Sequence, residues 1–242
     1  MLGIAAFLLG TALAAEETQD LAWDIHYQGR PVGERTLTVR HIEEDRGTRR
    51  MIQSLTELDG RSAGLPYTYR QRLTAHAGRQ PASFFSSISD NGDAREIQGR
   101  LSGGRWTVSV VDGGRARTWE LAGAQLDLST ADLFDPGSRV PLSGFETVKV
   151  LSAETGDIWE QRIERLGPSE IEIGGETVHV DGFRARGGPG RSMFWYTPSG
   201  VLVRYVYTWL GRELEAVLRE PPPRSVDEVP VRGPGRIEAI EL

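Results

Sequence analysis

The chain has 242 residues, 38% of them hydrophobic and 26% charged, values typical of a globular domain with a sizeable core and not of a disordered chain. Its formal net charge of −6 argues against general nucleic-acid binding, which needs a basic surface. The absence of cysteine from the sequence excludes disulfides, thiol catalysis, thiolate metal sites and a lipidated N-terminal cysteine.

The first segment in chain order, residues 1–15, is a predicted signal peptide. An apolar run is followed by small residues, and Ala12 and Ala14 fit the small-x-small pattern that precedes a cleavage site. The run is short for a membrane-spanning helix, so a retained anchor is the less favoured alternative. We therefore predict an exported, periplasmic protein that is soluble after signal cleavage and is not an integral membrane protein. Residues 16–220 are predicted to form a single β domain, and residues 221–242 a proline-rich C-terminal tail.

Most of the predicted domain is a succession of short alternating runs separated by turn residues. In the first run Trp23, Ile25 and Tyr27 share a face, because side chains alternate along a strand. Asp90-Asn91-Gly92-Asp93 is a strong hairpin signal. Strands at regular spacing with turns between them favour a sheet that curls on itself. Before the C-terminal region, the predicted strands cover residues 21–27, 34–41, 49–58, 67–75, 82–89, 95–101, 106–110, 116–121, 146–151, 158–166, 170–173 and 177–180.

Residues 122–143 interrupt this pattern. Ser129 or Thr130 is a candidate cap for a short helix through Phe134, and Asp135-Pro136-Gly137 has the residues that end a helix. We interpret the segment as a plug, a lid or a crossover between two halves of the sheet.

The clearest part of the sequence, residues 192–220, consists of three strand-like runs joined by two tight turns. Thr197-Pro198-Ser199-Gly200 has proline and glycine where a hairpin turn needs them. Alternation in the next run predicts one aromatic and aliphatic face, formed by Val201, Val203, Tyr205, Tyr207 and Trp209. With Trp195 of the preceding run, these aromatic side chains are expected to fill the core or, alternatively, to line a ligand pocket.

The sequence Gly60-Arg61-Ser62-Ala63-Gly64 matches the G-x-S-x-G pattern of a nucleophile elbow. That elbow needs a strand before the serine and a helix after it, in a parallel α/β sheet. Leu65-Pro66-Tyr67 follows here, so a turn serine is the favoured interpretation and no catalytic residue is predicted. The four histidines lie in separate runs, and no phosphate-binding glycine pattern is present, so we predict no metal and no cofactor.

Two charged groups are candidate binding sites. Glu154, Asp157 and Glu160 surround a turn and are a candidate cation site, but a hydrated loop is favoured because calcium loops space their oxygens more densely. The second group lies in a predicted loop and has the chemistry to bind a phosphate or lipid head group, although a solvated loop is again favoured. Its members are Arg184, Arg186 and Arg191.

Three stretches carry a resemblance to a known family. WYTPSGVLVRYVYTWLGRELEAVLRE, residues 195–220, resembles the C-terminal signature of a family of exported bacterial β-sheet proteins, a domain of unknown function. Residues 129–157 and 23–39 are similar to the middle and the opening of that family. The resemblance implies an all-β fold over most of the mature chain. It includes no catalytic motif and implies no activity.

We predict an all-β fold, an antiparallel meander curled into an open barrel or half-barrel, with one short helix. The favoured function is a periplasmic, non-enzymatic binding or carrier module for an apolar or amphiphilic, lipid-like ligand. The predicted ligand-binding residues are Trp195, Tyr205, Tyr207 and Trp209. One alternative is a structural or assembly factor of the cell envelope that uses a sheet edge or the C-terminal tail. Another is a hydrolase whose site is assembled from scattered residues.

Overall fold

A computed structural model describes residues 17–44, 47–62, 65–77, 82–136, 142–188, 190–209 and 212–222. The predicted signal peptide and the predicted tail beyond residue 222 lie outside the described residues. Within the described ranges, one sheet holds 15 β-strands, and two 3-10 turns cover Gly123–Gln125 and Asp132–Phe134. The strands are Glu17–Tyr27 (β1), Arg30–Glu44 (β2), Gly47–Ser62 (β3), Leu65–Ala77 (β4), Ser83–Asp90 (β5), Asp93–Ser102 (β6), Arg105–Asp112 (β7), Arg115–Ala122 (β8), Leu128–Ser129 (β9), Thr147–Leu151 (β10), Ile158–Ile173 (β11), Glu176–Gly187 (β12), Gly190–Tyr196 (β13), Leu202–Trp209 (β14) and Arg212–Leu218 (β15).

The first and last strands meet in the middle of the sheet. The strand order is β8-β7-β6-β5-β4-β3-β2-β1-β15-β14-β13-β12-β11-β10-β9. β1 pairs antiparallel with β15, which places Trp23 opposite Leu218 and Tyr27 opposite Leu214. The sheet therefore consists of two meanders joined through β1 and β15. Its edges, β8 and β9, come from the middle of the sequence, and β9 pairs with β10 in parallel.

Alternation along each strand decides which side chains enter the core. Leu21, Trp23 and Ile25 of β1 are buried, and so are Leu37 and Val39 of β2. Removing an apolar side chain of this size from water contributes about 1.5–3 kcal/mol. The buried Trp23 indole N–H donates to the carbonyl oxygen of residue 202 at 3.1 Å, so its polar atom is satisfied. The core thus follows the inner face of the sheet from strand to strand.

The crossover segment, residues 123–136, leads from β8 to the opposite edge of the sheet, forms β9 there and continues through the core. Phe134 makes edge-to-face contacts with Trp23 and Tyr205, at centroid distances of 6.2 and 5.7 Å. The Tyr196 hydroxyl donates to the carbonyl oxygen of Leu133 at 3.1 Å. Of the three interpretations considered, the segment is a crossover that also fills part of the interior.

A short helix ends at Phe134 as predicted, but it is a single 3-10 turn, and its N-cap is Ala131 rather than Ser129 or Thr130. Only the turn Asp132–Phe134 forms, and the Asp132 carboxylate accepts hydrogen bonds from the Ser129 N–H at 2.7 Å and hydroxyl at 2.9 Å. Asp135, which precedes Pro136, is extended, as a residue before proline prefers, and this ends the turn. In the part of the chain that the structure describes, no helix has the length and apolar character needed to cross a membrane.

The loop between β10 and β11 contacts the distant strands β6 to β8. Arg95 donates to the carbonyl oxygen of Glu154 at 3.4 Å, and Arg117 to that of Thr155 at 3.2 Å. Gly156 packs so closely that an added Cβ would lie 2.4 Å from a methyl carbon of Val110. The sheet therefore curls back on itself without its edge strands pairing. This confirms the predicted all-β, antiparallel and open barrel-like architecture.

Candidate functional site

The curled sheet surrounds a cavity of about 620 Å³ that is partly open to solvent. Its volume falls in the range of roughly 300–1,000 Å³ that is usual for small-molecule sites. The wall combines apolar and aromatic side chains with nearly as many polar ones, and its charged members are Arg35, Asp90, Arg95, Glu154 and Asp157. The aromatic lining residues are Tyr67, Tyr69, Phe134, Trp159, Phe194, Tyr205 and Tyr207.

The structure brings together only part of the predicted ligand-binding group. Tyr205 and Tyr207 line the cavity. Trp195 lies on the other face of the sheet, because it is opposite Arg204 and the Arg204 guanidinium is 4.8 Å from its ring centroid. The expected grouping of Trp195 with the two tyrosines is therefore wrong. Phe194, which is opposite Tyr205, takes the inward position instead. Trp209 ends β14, and its side chain lies outside the described part of the chain.

A buried polar ladder crosses the inner face of β2, β3, β4 and β5. The Arg35 Nε donates to the Thr56 hydroxyl at 2.7 Å, and Nη2 donates to the Gln71 carbonyl oxygen at 3.3 Å. The Gln71 amide donates to the Ser86 hydroxyl at 3.0 Å. Strand register explains the row, since Arg35 is opposite Thr56 and Thr56 is opposite Gln71. The polar ladder, residues 35, 56, 71 and 86, fixes the orientation of the guanidinium in the cavity wall.

Arg35 is a buried cation with neutral partners. It is 5% exposed, and none of the described carboxylates lies within ion-pair distance of it. Its guanidinium carbon stacks 4.0 Å from the centroid of Phe134 and lies 6.0 Å from that of Tyr205. A cation–π contact contributes about 2 kcal/mol when desolvated, which is less than the several kcal/mol that burial of an ion costs. Burial of an arginine in this wall is therefore unexpected, because the described contacts do not offset its cost.

Tyrosine hydroxyls lie near this guanidinium. Burial raises the pKa of Tyr69 and of Tyr205 well above the ordinary value of 10.0, the negative charge of Glu154 adds to the rise, and the positive charge of Arg35 opposes it. Burial and the neighbouring Asp90 raise the pKa of Tyr67 to about 12. The hydroxyls therefore stay protonated at neutral pH. Those of Tyr69 and Tyr205 make no hydrogen bond to any other described residue, so both can donate to a ligand.

Two of the three carboxylates in the candidate cation site, those of Glu154 and Asp157, line the cavity, and that of Glu160 does not. Glu154 lines the cavity, and its carboxylate accepts hydrogen bonds from the hydroxyls of Thr130 at 2.9 Å and Ser152 at 3.0 Å. Asp157 pairs with Arg117 at 3.2 Å, whereas Glu160 is exposed on β11. Across the described ranges, no three His, Asp or Glu side chains form a group that could hold a metal ion.

Two further sequence motifs have structural surroundings that differ from a binding or catalytic site. Ser62 ends β3 and is opposite Leu65 of β4, so β3 is followed by an antiparallel strand and not by the helix that a nucleophile elbow needs. Ala63 and Gly64 lie outside the described residues. Arg184 and Arg186 belong to strand β12, not to a flexible loop, and both contact Glu164, at 3.1 and 3.4 Å.

Sequence reasoning missed Arg35, although the sequence contains a signal for it. Arg35 occupies the same alternating set as Leu37 and Val39, both of which are buried. A charged residue in an otherwise apolar set lies either at the end of the buried face or in the core, where it needs polar partners. The partners Thr56 and Gln71 come from other strands, and only the register brings them to Arg35.

Comparison with known proteins gives a family and a fold. The family model described as a domain of unknown function (DUF6134) matches residues 23–219. No curated protein sequence matches the chain significantly. The chain is similar in structure to a β-barrel-like protein of DUF1849 from Brucella abortus, with a TM-score of 0.56 and 10% identity over 86% of this chain and 97% of that one. At this identity the similarity concerns the fold alone.

Two other solved structures are more distantly similar. A candidate exported protein with a YmcC-like fold from Bacteroides fragilis gives a TM-score of 0.36 at 10% identity, over 85% of this chain and 94% of that one. A candidate lipoprotein from Parabacteroides distasonis gives 0.31 at 10% identity, over 86% of this chain and 95% of that one. Because the family model covers residues 23–219, the chain belongs to the DUF6134 family, a domain of unknown function.

Proposed function

We propose that this protein is a non-enzymatic binding or carrier module that holds an amphiphilic ligand in its internal cavity. The observation that carries the proposal is the cavity of about 620 Å³, which is lined by tyrosines and other apolar side chains. A site of this size with many apolar and aromatic side chains in its wall suits a molecule that has its own apolar part. The polar and charged groups in the wall suit a ligand that also has a polar end.

The wall offers a surface on which an apolar chain can lie. Phe194, Tyr205 and Tyr207 come from adjacent strands, and Leu133 comes from the crossover segment. Each buried methylene of a ligand gains about 0.8 kcal/mol from leaving water. Binding strength is therefore expected to rise with chain length until the chain fills the cavity.

The N-terminal sequence supports a periplasmic location for this binding activity. Residues 1–15 have the apolar run and small residues of a secretory signal, which favours the periplasm. An amphiphile has to be shielded from water when it is moved or stored in an aqueous compartment. A small domain with an internal apolar cavity is suited to that role.

Substitution of the cavity tyrosines tests the proposal. We expect Tyr205→Ala and Tyr207→Ala to weaken the binding of a neutral solvatochromic lipid probe, measured by the shift of its fluorescence. Trp195→Ala is the matched control, because it removes an aromatic side chain from the outer face of the neighbouring strand. The proposal is wrong if both tyrosine variants fold and bind the probe as tightly as the wild type does.

Native mass spectrometry of the protein purified from its own cells gives an independent test. We expect a population with a defined additional mass, and extraction with organic solvent is expected to release an amphiphilic molecule of that mass. The Tyr205→Ala variant is expected to carry less of it. A uniformly ligand-free wild-type protein would argue against stable binding and in favour of an assembly role.

A further inference from the structure

The Arg35 guanidinium has one nitrogen that is available to donate a hydrogen bond to a ligand. Two of its three nitrogens, Nε and Nη2, donate to Thr56 and Gln71. The third, Nη1, has no hydrogen-bond acceptor among the described residues, and it is not fully buried. Because Arg35 lines the cavity, the unused donor is accessible to a bound molecule.

The surroundings hold this donor in place. The polar ladder fixes one edge of the guanidinium, and the Phe134 ring covers its face at 4.0 Å. A guanidinium that is already ordered loses little entropy when it binds a ligand, and it presents a fixed geometry to a planar or tetrahedral anion. Binding of an anion would also supply the counter-charge that the described protein residues do not provide.

The hydroxyls of Tyr69 and Tyr205 provide two more donors in the same part of the wall. Both side chains line the cavity, and the ring centroid of Tyr205 is 6.0 Å from the guanidinium carbon. Both remain protonated at neutral pH, for the reasons given above. A cation and two neutral hydroxyl donors together are the groups that bind a carboxylate or a phosphate.

We propose that Arg35, assisted by the hydroxyls of Tyr69 and Tyr205, binds an anionic head group of the amphiphile, a carboxylate or a phosphate. This inference rests on the proposed function, since it specifies the polar end of a ligand whose apolar part occupies the same cavity. Glu154, which also lines the cavity, already accepts hydrogen bonds from Thr130 and Ser152. Asp90 and Asp157 line the cavity as well, and the charges of these three carboxylates oppose the anion and limit the affinity.

Competition against a neutral solvatochromic probe tests the inference on the full chain. The competitors are dodecanoate, dodecyl phosphate and dodecanol, which share their apolar chain and differ in the head group. We expect at least one of the two anions to displace the probe at a concentration about tenfold or more below that of dodecanol. The anion that competes better identifies the head group as a carboxylate or a phosphate.

Variants assign any such preference to Arg35. Arg35→Gln is expected to reduce anion binding by about tenfold or more and to weaken dodecanol binding much less, because only the anions lose a counter-charge. Arg204→Gln removes the same charge from the outer face, where Arg204 pairs with Glu215 at 2.6 Å, and is expected to change neither. Glu154→Gln is expected to tighten anion binding by about threefold, because it removes the opposing charge.

The outcomes separate this inference from the proposed function. If the three competitors displace the probe equally well from the wild type, the role of Arg35 is wrong and the cavity proposal stands. If a folded Arg35→Gln protein keeps the anion preference, the inference is also wrong. If neither the probe nor any competitor binds the wild type, the proposed function fails and the inference fails with it. The wild-type comparison keeps the test decisive even if Arg35→Gln does not fold.

Discussion

Arg35 and Arg50 lie on the neighbouring strands β2 and β3, but only Arg50 pairs with a carboxylate. Arg50 makes a bidentate ion pair with Asp135, with Nε 3.0 Å from Oδ1 and Nη2 2.7 Å from Oδ2. Arg35 bonds only to the neutral side chains of Thr56 and Gln71. The Arg50–Asp135 pair fastens the crossover segment to the sheet, which is a structural task. Arg35 has no comparable structural counterpart, and this contrast favours a role in binding.

The largest expected effect comes from breaking the Arg50–Asp135 ion pair. Asp135 is 2% exposed and the Arg50 side chain 19%, so Asp135→Asn leaves a largely buried guanidinium without its counter-charge. We expect the free energy of unfolding to fall by about 3 kcal/mol, measured by urea denaturation. Glu57→Gln is the matched control, since it breaks the half-exposed pair with Arg70 and is expected to cost about 0–1 kcal/mol. Equal effects of the two substitutions would mean that the Arg50–Asp135 pair does not fasten the crossover.

A smaller effect is expected at Phe134, which contacts Arg35 but also packs in the core. Phe134→Leu keeps an apolar side chain and removes the ring contacts with Trp23, Tyr205 and Arg35. We expect a loss of about 1–2 kcal/mol in the free energy of unfolding, because each aromatic pair contributes about 0.5–1.5 kcal/mol beyond its area.

A double-mutant cycle isolates the part of this loss that belongs to Arg35. Combining Phe134→Leu with Arg35→Met is expected to give a coupling energy of about 0.5–2 kcal/mol. The same cycle with Arg204→Met, on the outer face, is expected to give a value near zero. If the effects at Phe134 and Arg35 are strictly additive, the stacking contact contributes nothing measurable.

The fold was more predictable from the sequence than the site was. The hairpin at Asp90-Asn91-Gly92-Asp93 forms as expected, because its residues favour the positive φ angles of 50° at Asn91 and 92° at Gly92. The pairing of β1 with β15 has no local signal, since residues as distant as Trp23 and Leu218 meet there. Local patterns predict strands and turns, whereas the order of strands depends on non-local contacts.

The candidate site depends on register, which explains the error at Trp195. Alternation correctly places Tyr205 and Tyr207 on one face of β14, but it does not relate that face to the one on β13. The register places Phe194, and not Trp195, opposite Tyr205. Arg35 was missed for the same reason, because its partners Thr56 and Gln71 are known only once three strands are aligned.

Removal of Arg35 is expected to have little effect on stability, in contrast to the loss of Asp135. Arg35→Met gives up hydrogen bonds to Thr56 and Gln71, each with a net contribution of about 1 kcal/mol, but it also removes a buried charge that no described carboxylate compensates. We expect the free energy of unfolding to stay within about 1 kcal/mol of the wild-type value. A loss as large as that of Asp135→Asn would show that Arg35 is structural, and would remove the contrast between the two arginines.

The smallest expected effect is a shift in tyrosine ionisation. Because burial raises the pKa of Tyr67 from 10.0 to about 12, its contribution to stability is complete below pH 10 and is lost as the pH rises towards 12. Ultraviolet titration of the wild type is therefore expected to show delayed tyrosine ionisation.

The Asp90 carboxylate adds to the rise in the pKa of Tyr67 through its charge and its hydrogen bond, so Asp90→Asn is expected to make Tyr67 ionise at lower pH. Arg204→Met, which removes a charge from the outer face, is expected to leave the titration curve unchanged. Identical curves for wild type and Asp90→Asn would mean that Asp90 does not influence the Tyr67 hydroxyl.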